Sequence, residues 1–117
     1  MIILHRSLYK GKTALKTILE EVPDKADKIE VLKIDVGDDE SVLTAAKILR
    51  DRNVKLYGLV NNAGITHKGN EISAVINTNY NGPKRVTDAF VDLIDTTEGR
   101  IVNTSSAAAS WWLKSQV

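Results

Sequence analysis

A short apolar run that stops at two amides and a glycine is the feature that most constrains this chain. Residues 56–60 read Leu-Tyr-Gly-Leu-Val, and Asn61, Asn62, Ala63 and Gly64 follow. The apolar run predicts a buried strand of a parallel sheet, and the residues after it predict the turn at its carboxyl end. Ligands bind at that edge of open α/β sheets, and a small Ala-Gly pair lets a flat ligand come close. A polar turn without a ligand is the alternative.

The rest of the chain alternates between short β-rich runs and amphipathic stretches. Residues 1–4, 29–34 and 100–104 predict three further strands. Apolar residues at helical spacing predict a helix over residues 10–21, a second that follows the turn at 35–39 and includes 42–49, and a third over 72–94, which the Gly82-Pro83 pair should kink. This order predicts an α/β fold with a doubly wound parallel sheet in a single domain over residues 1–117. The core-facing positions expected on the second and third helices are Val42, Ala45, Ala46, Leu49, Val86, Ala89, Phe90, Leu93 and Ile94.

Composition excludes several classes of function. The 16 basic and 15 acidic residues are interspersed and give a net charge of +1, which leaves no electrostatic footprint for nucleic acid or an anionic membrane. The absence of cysteine excludes disulfides, thiolate metal sites and cysteine nucleophiles, and two histidines cannot build a metal site. No apolar run approaches the roughly 20 residues that span a bilayer, so we expect a cytoplasmic location.

The segment Asn61-Asn62-Ala63-Gly64 resembles the Asn-Asn-Ala-Gly signature of the short-chain dehydrogenase/reductase family. The resemblance extends from about residue 2 to about residue 110 and is strongest to NADPH-dependent carbonyl reductases. It implies a partial Rossmann-type sheet of about four strands, in which the family's first strand and its glycine-rich pyrophosphate turn are missing. That strand lies in the family between the ones predicted at residues 2–4 and 56–60. Either these two close up directly, or the isolated chain is not independently stable.

By the same resemblance, Arg6, Asp35 and Val36 belong to an NADP(H) site. Arg6 follows the first strand without a neighbouring acid, and its charged fork suits the 2′-phosphate of NADP rather than the ribose hydroxyls of NAD. The Asp35 carboxylate would accept a hydrogen bond from the exocyclic amine of adenine, and the Val36 main chain would bond the ring nitrogen. A solvated surface arginine and a helix-entry acid are the alternatives.

The turn formed by Asn61, Asn62, Ala63 and Gly64 supplies the next group of cofactor residues. Asn62 would line the adenine ribose mainly through main-chain atoms, while Ala63 and Gly64 allow the close approach. Asn61 is the structural member of the pair, and we expect its amide to tie neighbouring strands together.

The resemblance assigns two catalytic positions. Asn79 matches the asparagine that holds a water near the catalytic lysine, and we expect its amide to be buried in mid-helix. Ser106 matches the serine that holds the substrate carbonyl oxygen in line for hydride attack. The family's proton-donating tyrosine, with a lysine four residues later, is absent after Ser106. Tyr80 and Lys84 have that spacing but precede Ser106, so Tyr80 is expected to pack and Lys84 to face solvent.

Two functions remain open. The first is part of an NADPH-dependent carbonyl reductase that reduces aldehydes or ketones to alcohols by hydride transfer, with this chain inactive alone because both ends of the machinery are missing. The second is a non-catalytic module that binds nucleotide weakly or associates with a full-length relative. The substrate identity and the oligomeric state are not encoded in any residue singled out above.

Overall fold

The chain folds into an α/β unit in which short parallel strands alternate with helices. The computed structural model describes residues 1–107, 111, 114 and 115. The strands are β1 (Ile2–His5), β2 (Glu30–Lys33), β3 (Gly58–Asn61) and β4 (Arg100–Asn103). The α-helices are α1 (Leu8–Glu21), α2 (Asp39–Asp51), α3 (Ile72–Ile76) and α4 (Gly82–Phe90). A 3₁₀ turn over Pro23–Lys28 follows α1, and another over Val91–Leu93 follows α4.

Short polar side chains begin the first two helices. The Ser7 hydroxyl accepts a hydrogen bond from the Lys10 N–H at 3.4 Å at the start of α1. The Asp38 carboxylate accepts one from the Glu40 N–H at 3.1 Å at the start of α2. Each cap satisfies a main-chain donor that has no partner within its helix. Arg6 lies between the end of β1 and the Ser7 cap, and Asp35 lies between the end of β2 and the Asp38 cap.

The core forms where α2, α4 and β3 meet. All four apolar positions predicted on α2 are buried, and the α4 stripe is buried or half-buried as predicted. Phe90, Leu49 and Val42 are the largest fully enclosed side chains. The helical periodicity therefore identified the core faces correctly. The core cluster comprises Ile34, Val42, Ala45, Ala46, Leu49, Leu59, Val86, Phe90 and Leu93.

The predicted third helix is continuous to Phe90 but changes its hydrogen-bond pattern before Pro83. Asn77–Asn81 form a π-helical segment between α3 and α4, and Pro83 lies in the first turn of α4. A proline has no N–H to donate to the carbonyl four residues earlier, so the wider turn takes up the mismatch. The expected interruption is present, as a local change of pitch.

The four strands form two separate two-stranded parallel sheets, β1 with β2 and β3 with β4. The α/β class and the parallel pairing are confirmed, but the single continuous sheet expected from the sequence is not formed. Of the two outcomes expected for the flanking strands, direct closure of β1 onto β3 does not occur. The strand predicted at residues 56–60 also begins later, because Leu56 makes only an isolated parallel bridge to Ile94.

The unpaired edges of β1 and β3 both line the same groove. Main-chain groups of alternate residues in a strand point to opposite neighbours. The Met1 and His5 carbonyls accept from Glu30 and Ile34 on the β2 side, so the main-chain groups of Ile2 and Leu4 point away from β2. On the other strand, the Tyr57 and Asn61 carbonyls accept from the main-chain N–H groups of Arg100 and Thr104 on the β4 side. The main-chain groups of Gly58 and Val60 therefore point away from β4. The groove is lined by all four of these outward-facing residues, Ile2, Leu4, Gly58 and Val60.

Among the described residues, no helix combines the length and the apolar character needed to cross a bilayer.

Candidate functional site

The groove between the two sheets collects most of the residues predicted to bind a cofactor. It has a volume of about 950 Å³ and runs along the carboxyl ends of β1, β2 and β3. Its lining includes all six predicted cofactor residues, Arg6, Asp35, Val36, Asn62, Ala63 and Gly64. These positions come from three different segments of the chain, and only the parallel arrangement of the strands brings them to one edge.

Arg6 and Asp35 also line a second, smaller groove formed by the end of β2, the turn that follows it and α2. This groove has a volume of about 540 Å³ and includes Lys33, Asp38 and Ser41. Lys33 is paired in register with His5, directly before Arg6, so a second cation lies beside the predicted phosphate contact. Sequence reasoning did not single out Lys33, although its position at the end of an alternating β-rich run was a usable signal.

The turn after β2 is held by hydrogen bonds from several sides. Asp35 donates its N–H to the Ser41 hydroxyl at 2.8 Å, and its carboxylate Oδ1 accepts from the Gly37 N–H at 2.9 Å. The Asp38 N–H donates to the Asp35 carbonyl at 3.1 Å. One carboxylate oxygen of Asp35 is thus engaged within the turn. The other oxygen makes none of these bonds.

Asn61 lies in β3 rather than in the turn, and it ties the second sheet to α4. Its amide Nδ2 donates to Asn103 Oδ1 at 2.8 Å and to the Thr87 hydroxyl at 3.1 Å. The structural role predicted for Asn61 is therefore observed, with a helix contact in addition to the strand contact. Asn62, Ala63 and Gly64 follow it and are exposed on the groove.

Asn79 is not among the described residues that line either groove, but it fixes the loop that follows Gly64. Its Oδ1 accepts from the Ile65 N–H and its Nδ2 donates to the Ile65 carbonyl, both at 2.8 Å. Gly64 lies beside this amide, since a Cβ there would be 3.4 Å from Asn79 Oδ1, an ordinary van der Waals contact. The burial expected for Asn79 is wrong, because the residue is exposed and the main chain of Ile65 satisfies its amide.

Ser106 lies shortly beyond the carboxyl end of β4, on an exposed segment. The Thr104 N–H donates to the Asn61 carbonyl at 3.0 Å, which extends the β3–β4 contact toward Ser106. Ser106 does not belong to the described lining of either groove. Ser106 lies at the carboxyl edge of the second sheet, as expected, because β3 and β4 are parallel and both end at that edge.

The structure corrects the packing expected for Tyr80 and agrees with the exposure expected for Lys84. Tyr80 is 74% exposed, so it does not pack against the protein. Lys84 is exposed and forms an ion pair with Asp88 at 2.5 Å on the surface of α4. The hydrogen bond that Lys84 donates to the Asp88 carboxylate raises the pKa of Lys84.

The other shifted groups lie outside the described linings of both grooves. The hydrogen bond between Arg50 and Asp92 lowers the pKa of the carboxyl and raises the pKa of the guanidinium. The main-chain N–H groups of Glu98 and Thr97 lower the pKa of Asp95. Within the described part of the chain, no cluster of His, Asp or Glu could hold a metal ion.

Comparison with known proteins identifies the family. Residues 3–116 match the family profile described as short chain dehydrogenase. The chain belongs to this family. The predicted resemblance is thereby confirmed for nearly the whole sequence, and short-chain dehydrogenases are oxidoreductases.

Similar family members differ in what their names say they act on. The chain is 39% identical over 93 residues to retinol dehydrogenase 16 of Rattus norvegicus, which corresponds to 71% of this chain and 29% of that protein. It is 38% identical over 93 residues to the mitochondrial D-beta-hydroxybutyrate dehydrogenase of Bos taurus, with 70% and 27% covered. The matching part of this chain therefore covers less than a third of the length of these relatives.

Solved structures of family members have the same fold. A menthone neomenthol reductase from Mentha piperita superposes with a TM-score of 0.79 at 23% identity, covering 91% of this chain and 51% of that one. An NADPH-bound carbonyl reductase from chicken fatty liver superposes with a TM-score of 0.69 at 26% identity, covering 92% and 48%. The Rossmann-like arrangement expected from the sequence is confirmed by these similarities.

Sequence reasoning missed Arg85 and Asn77, which hold the turn after β2 from the side of α4. Arg85 Nη1 donates to the Val36 carbonyl at 2.6 Å, and Asn77 Nδ2 donates to the Gly37 carbonyl at 2.8 Å. These contacts join residues 49 and 40 positions apart. No local pattern around either residue signals such a contact.

Proposed function

We propose that this chain forms the adenine side of the NADP(H) site of a short-chain dehydrogenase that reduces aldehydes or ketones to alcohols. The convergence of Arg6, Asp35, Val36 and the turn at 62–64 on one groove supports the proposal. NADPH, when bound, supplies the hydride. The chain's own residues bind and orient the adenosine end of the carrier.

The residues that line the groove fit this half of the cofactor. The Arg6 guanidinium is exposed at the carboxyl end of β1 and can donate two hydrogen bonds to a 2′-phosphate. Asp35 retains a carboxylate oxygen for the adenine amine, since its Oδ1 already accepts from Gly37. The exposed Ala63 and Gly64 offer little steric hindrance to the adenine ribose. We assign Ser106 to the carbonyl oxygen of the substrate and Asn79 to the catalytic water, as the family resemblance implies.

Adenine-side fragments test the phosphate contact without requiring the rest of the cofactor. We expect the chain to bind 2′,5′-ADP about tenfold or more tightly than 5′-AMP, the effect of about one charge-assisted hydrogen bond. The Arg6→Gln variant should bind the two ligands about equally. Isothermal titration calorimetry or equilibrium dialysis measures both affinities.

Arg100→Gln is the matched control for this experiment. Arg100 is also exposed, but it lies at the amino end of β4 and donates to the neighbouring Gly99 carbonyl at 2.8 Å. This variant should keep the preference for 2′,5′-ADP. Equal wild-type affinity for the two ligands, or an unchanged preference in Arg6→Gln, would refute the assignment of NADP.

A non-catalytic nucleotide-binding module is the second candidate. The exposed Tyr80 and the surface ion pair of Lys84 favour it, because the only Tyr-x-x-x-Lys spacing in the sequence lies outside the groove. The two candidates differ in turnover. NADPH oxidation by residues 1–117 in the presence of an aldehyde supports the reductase, whereas nucleotide binding without turnover supports the module.

A further inference from the structure

The turn that carries Asp35 is anchored to α4 by one arginine. Arg85 Nη1 donates to the Val36 carbonyl at 2.6 Å, its Nε pairs with the Asp39 carboxylate, and its Nη2 donates to Asn77 Oδ1 at 3.1 Å. The Arg85 side chain is only 19% exposed, so water competes little for these bonds. All three nitrogens of the guanidinium are used within the protein. Arg85 is therefore not available as a direct ligand for an anionic substrate.

The peptide group between Val36 and Gly37 connects Arg85 to Asp35. Its carbonyl accepts from the Arg85 guanidinium, and its N–H donates to Asp35 Oδ1 at 2.9 Å. A cation bonded to the oxygen of a peptide polarises the group and strengthens donation by its N–H. Arg85 thus fixes the plane of this peptide and, through it, one oxygen of the Asp35 carboxylate.

Two further contacts keep the peptide in this orientation. Asn77 donates to the next carbonyl, that of Gly37, at 2.8 Å, while its own Oδ1 accepts from Arg85. Gly82 brings the start of α4 against Val36, because a Cβ there would lie 3.0 Å from Val36 Cγ2 and 3.4 Å from the Val36 carbonyl oxygen. The turn is consequently supported by α4 and by the π-helical segment that precedes it.

We propose that Arg85 is a positioning residue that makes the site selective for adenine by orienting the Asp35 carboxylate. This inference rests on the proposed nucleotide function and adds a residue that does not touch the ligand. With Oδ1 held by Gly37, the second oxygen of Asp35, a residue that lines the groove, is left as the acceptor for the ligand. An acceptor at that point favours adenine, which has an exocyclic amine, over hypoxanthine, which carries a carbonyl there.

Purine discrimination in Arg85 variants tests the proposal. We expect the wild type to bind 5′-AMP about tenfold more tightly than 5′-IMP, the effect of about one hydrogen bond to a charged group. In Arg85→Gln this ratio should fall to about two or less, because the carboxylate loses its fixed orientation. The preference for 2′,5′-ADP over 5′-AMP should stay unchanged, since Arg6 carries it. A merely structural role for Arg85 would weaken all three ligands by the same factor.

Arg50→Gln provides a matched control. Arg50 makes the same kinds of bond, to the Asp92 carboxylate at 2.8 and 2.9 Å and to the Ala89 carbonyl at 3.2 Å, and it also joins α2 to α4. None of these bonds involves the turn after β2. The AMP-to-IMP ratio of this variant should equal that of the wild type. An unchanged ratio in Arg85→Gln, or an equal loss in Arg50→Gln, would overturn the proposal.

A ligand-free measurement separates failure of the positioning role from failure of the nucleotide function. Amide hydrogen exchange at Gly37 reports its bond to Asp35, and we expect exchange about tenfold faster in Arg85→Gln than in the wild type or Arg50→Gln. If Arg85→Gln does not fold, Arg85→Lys takes its place and should show a smaller change of the same sign, because an ammonium cannot reproduce the fork. An unchanged exchange rate of the Gly37 amide in these variants contradicts the positioning role of Arg85. Faster exchange without any AMP binding contradicts the nucleotide function instead.

Discussion

The contact between α1 and the first sheet allows a sharp test of packing against helix propensity. Gly11 is buried in α1, and a Cβ at this position would lie 2.6 Å from Val31 Cγ1 and 3.2 Å from His5 Cβ. Alanine in a helix is more favourable than glycine by about 1 kcal/mol. Forcing a methyl group into a filled space costs about 1–3 kcal/mol, and the β-branched Val31 has few alternative rotamers. Because the steric cost outweighs the gain in helix propensity, Gly11→Ala should lower the free energy of unfolding by about 1 kcal/mol.

A second substitution, at Val31, allows a double-mutant cycle that isolates the steric contact between the two residues. In a Val31→Ala background the clashing methyl is gone, so Gly11→Ala should raise the free energy of unfolding by up to about 1 kcal/mol. Ala14→Gly, at an exposed position of the same helix, measures the difference in helix propensity by itself. Urea denaturation followed by circular dichroism gives the stability of each variant from its transition midpoint.

The result that would refute this reasoning is the same gain from Gly11→Ala in both backgrounds. It would mean that α1 can move away from β2 at no cost, and that the close approach at Gly11 does not fix the helix. The outcome also bears on the site, because Gly11 packs on His5, the last residue of β1 before Arg6. A loosely packed α1 would leave the Arg6 guanidinium without a defined position.

Two further predictions concern the second sheet and the segment that leads from α4 to it. Asn61→Leu should lower the free energy of unfolding by about 1–3 kcal/mol, since it removes the donors to Asn103 and Thr87. Urea midpoints measure this loss, and a value within error of the wild type would contradict it. The lowered pKa values of Asp92 and Asp95 predict stability that is present above their usual carboxyl pKa of 3.8 and lost as the pH falls through the folded-state values. Asp95→Asn should therefore flatten the thermal midpoint against pH below about pH 4, and an unchanged curve would rule out this contribution.

Particular residues show how far the sequence could predict the candidate site. Arg6, Asp35 and Asn62 were predicted as cofactor residues from the family resemblance, and each follows a β-rich run whose end parallel pairing brings to one edge. Arg85 was not recognisable, because in sequence it is one more cation on an amphipathic helix. Its role depends on α4 packing beside the turn after β2, which no pattern of neighbouring residues encodes.

Tyr80 and Asn79 also show where prediction from the sequence failed, in this case for the burial of a side chain. Tyr80 was expected to pack, and the Asn79 amide was expected to be buried in mid-helix. The π-helical segment at Asn77–Asn81 changes the rotation of the helix there, so both residues are exposed. Periodicity predicts which face a regular helix buries, and it fails where the pitch changes.

The sequence by itself determined the alternation of strands and helices, the faces that those helices bury, and the polar residues placed at strand ends. These properties depend on neighbours within one or two turns of chain, where spacing and capping chemistry act. The tertiary structure alone decided that the strands pair as two separate sheets with open edges on one groove. It also decided that Arg85 supports the turn of Asp35, because such contacts arise only when distant segments compete for the same space and the same hydrogen-bond partners.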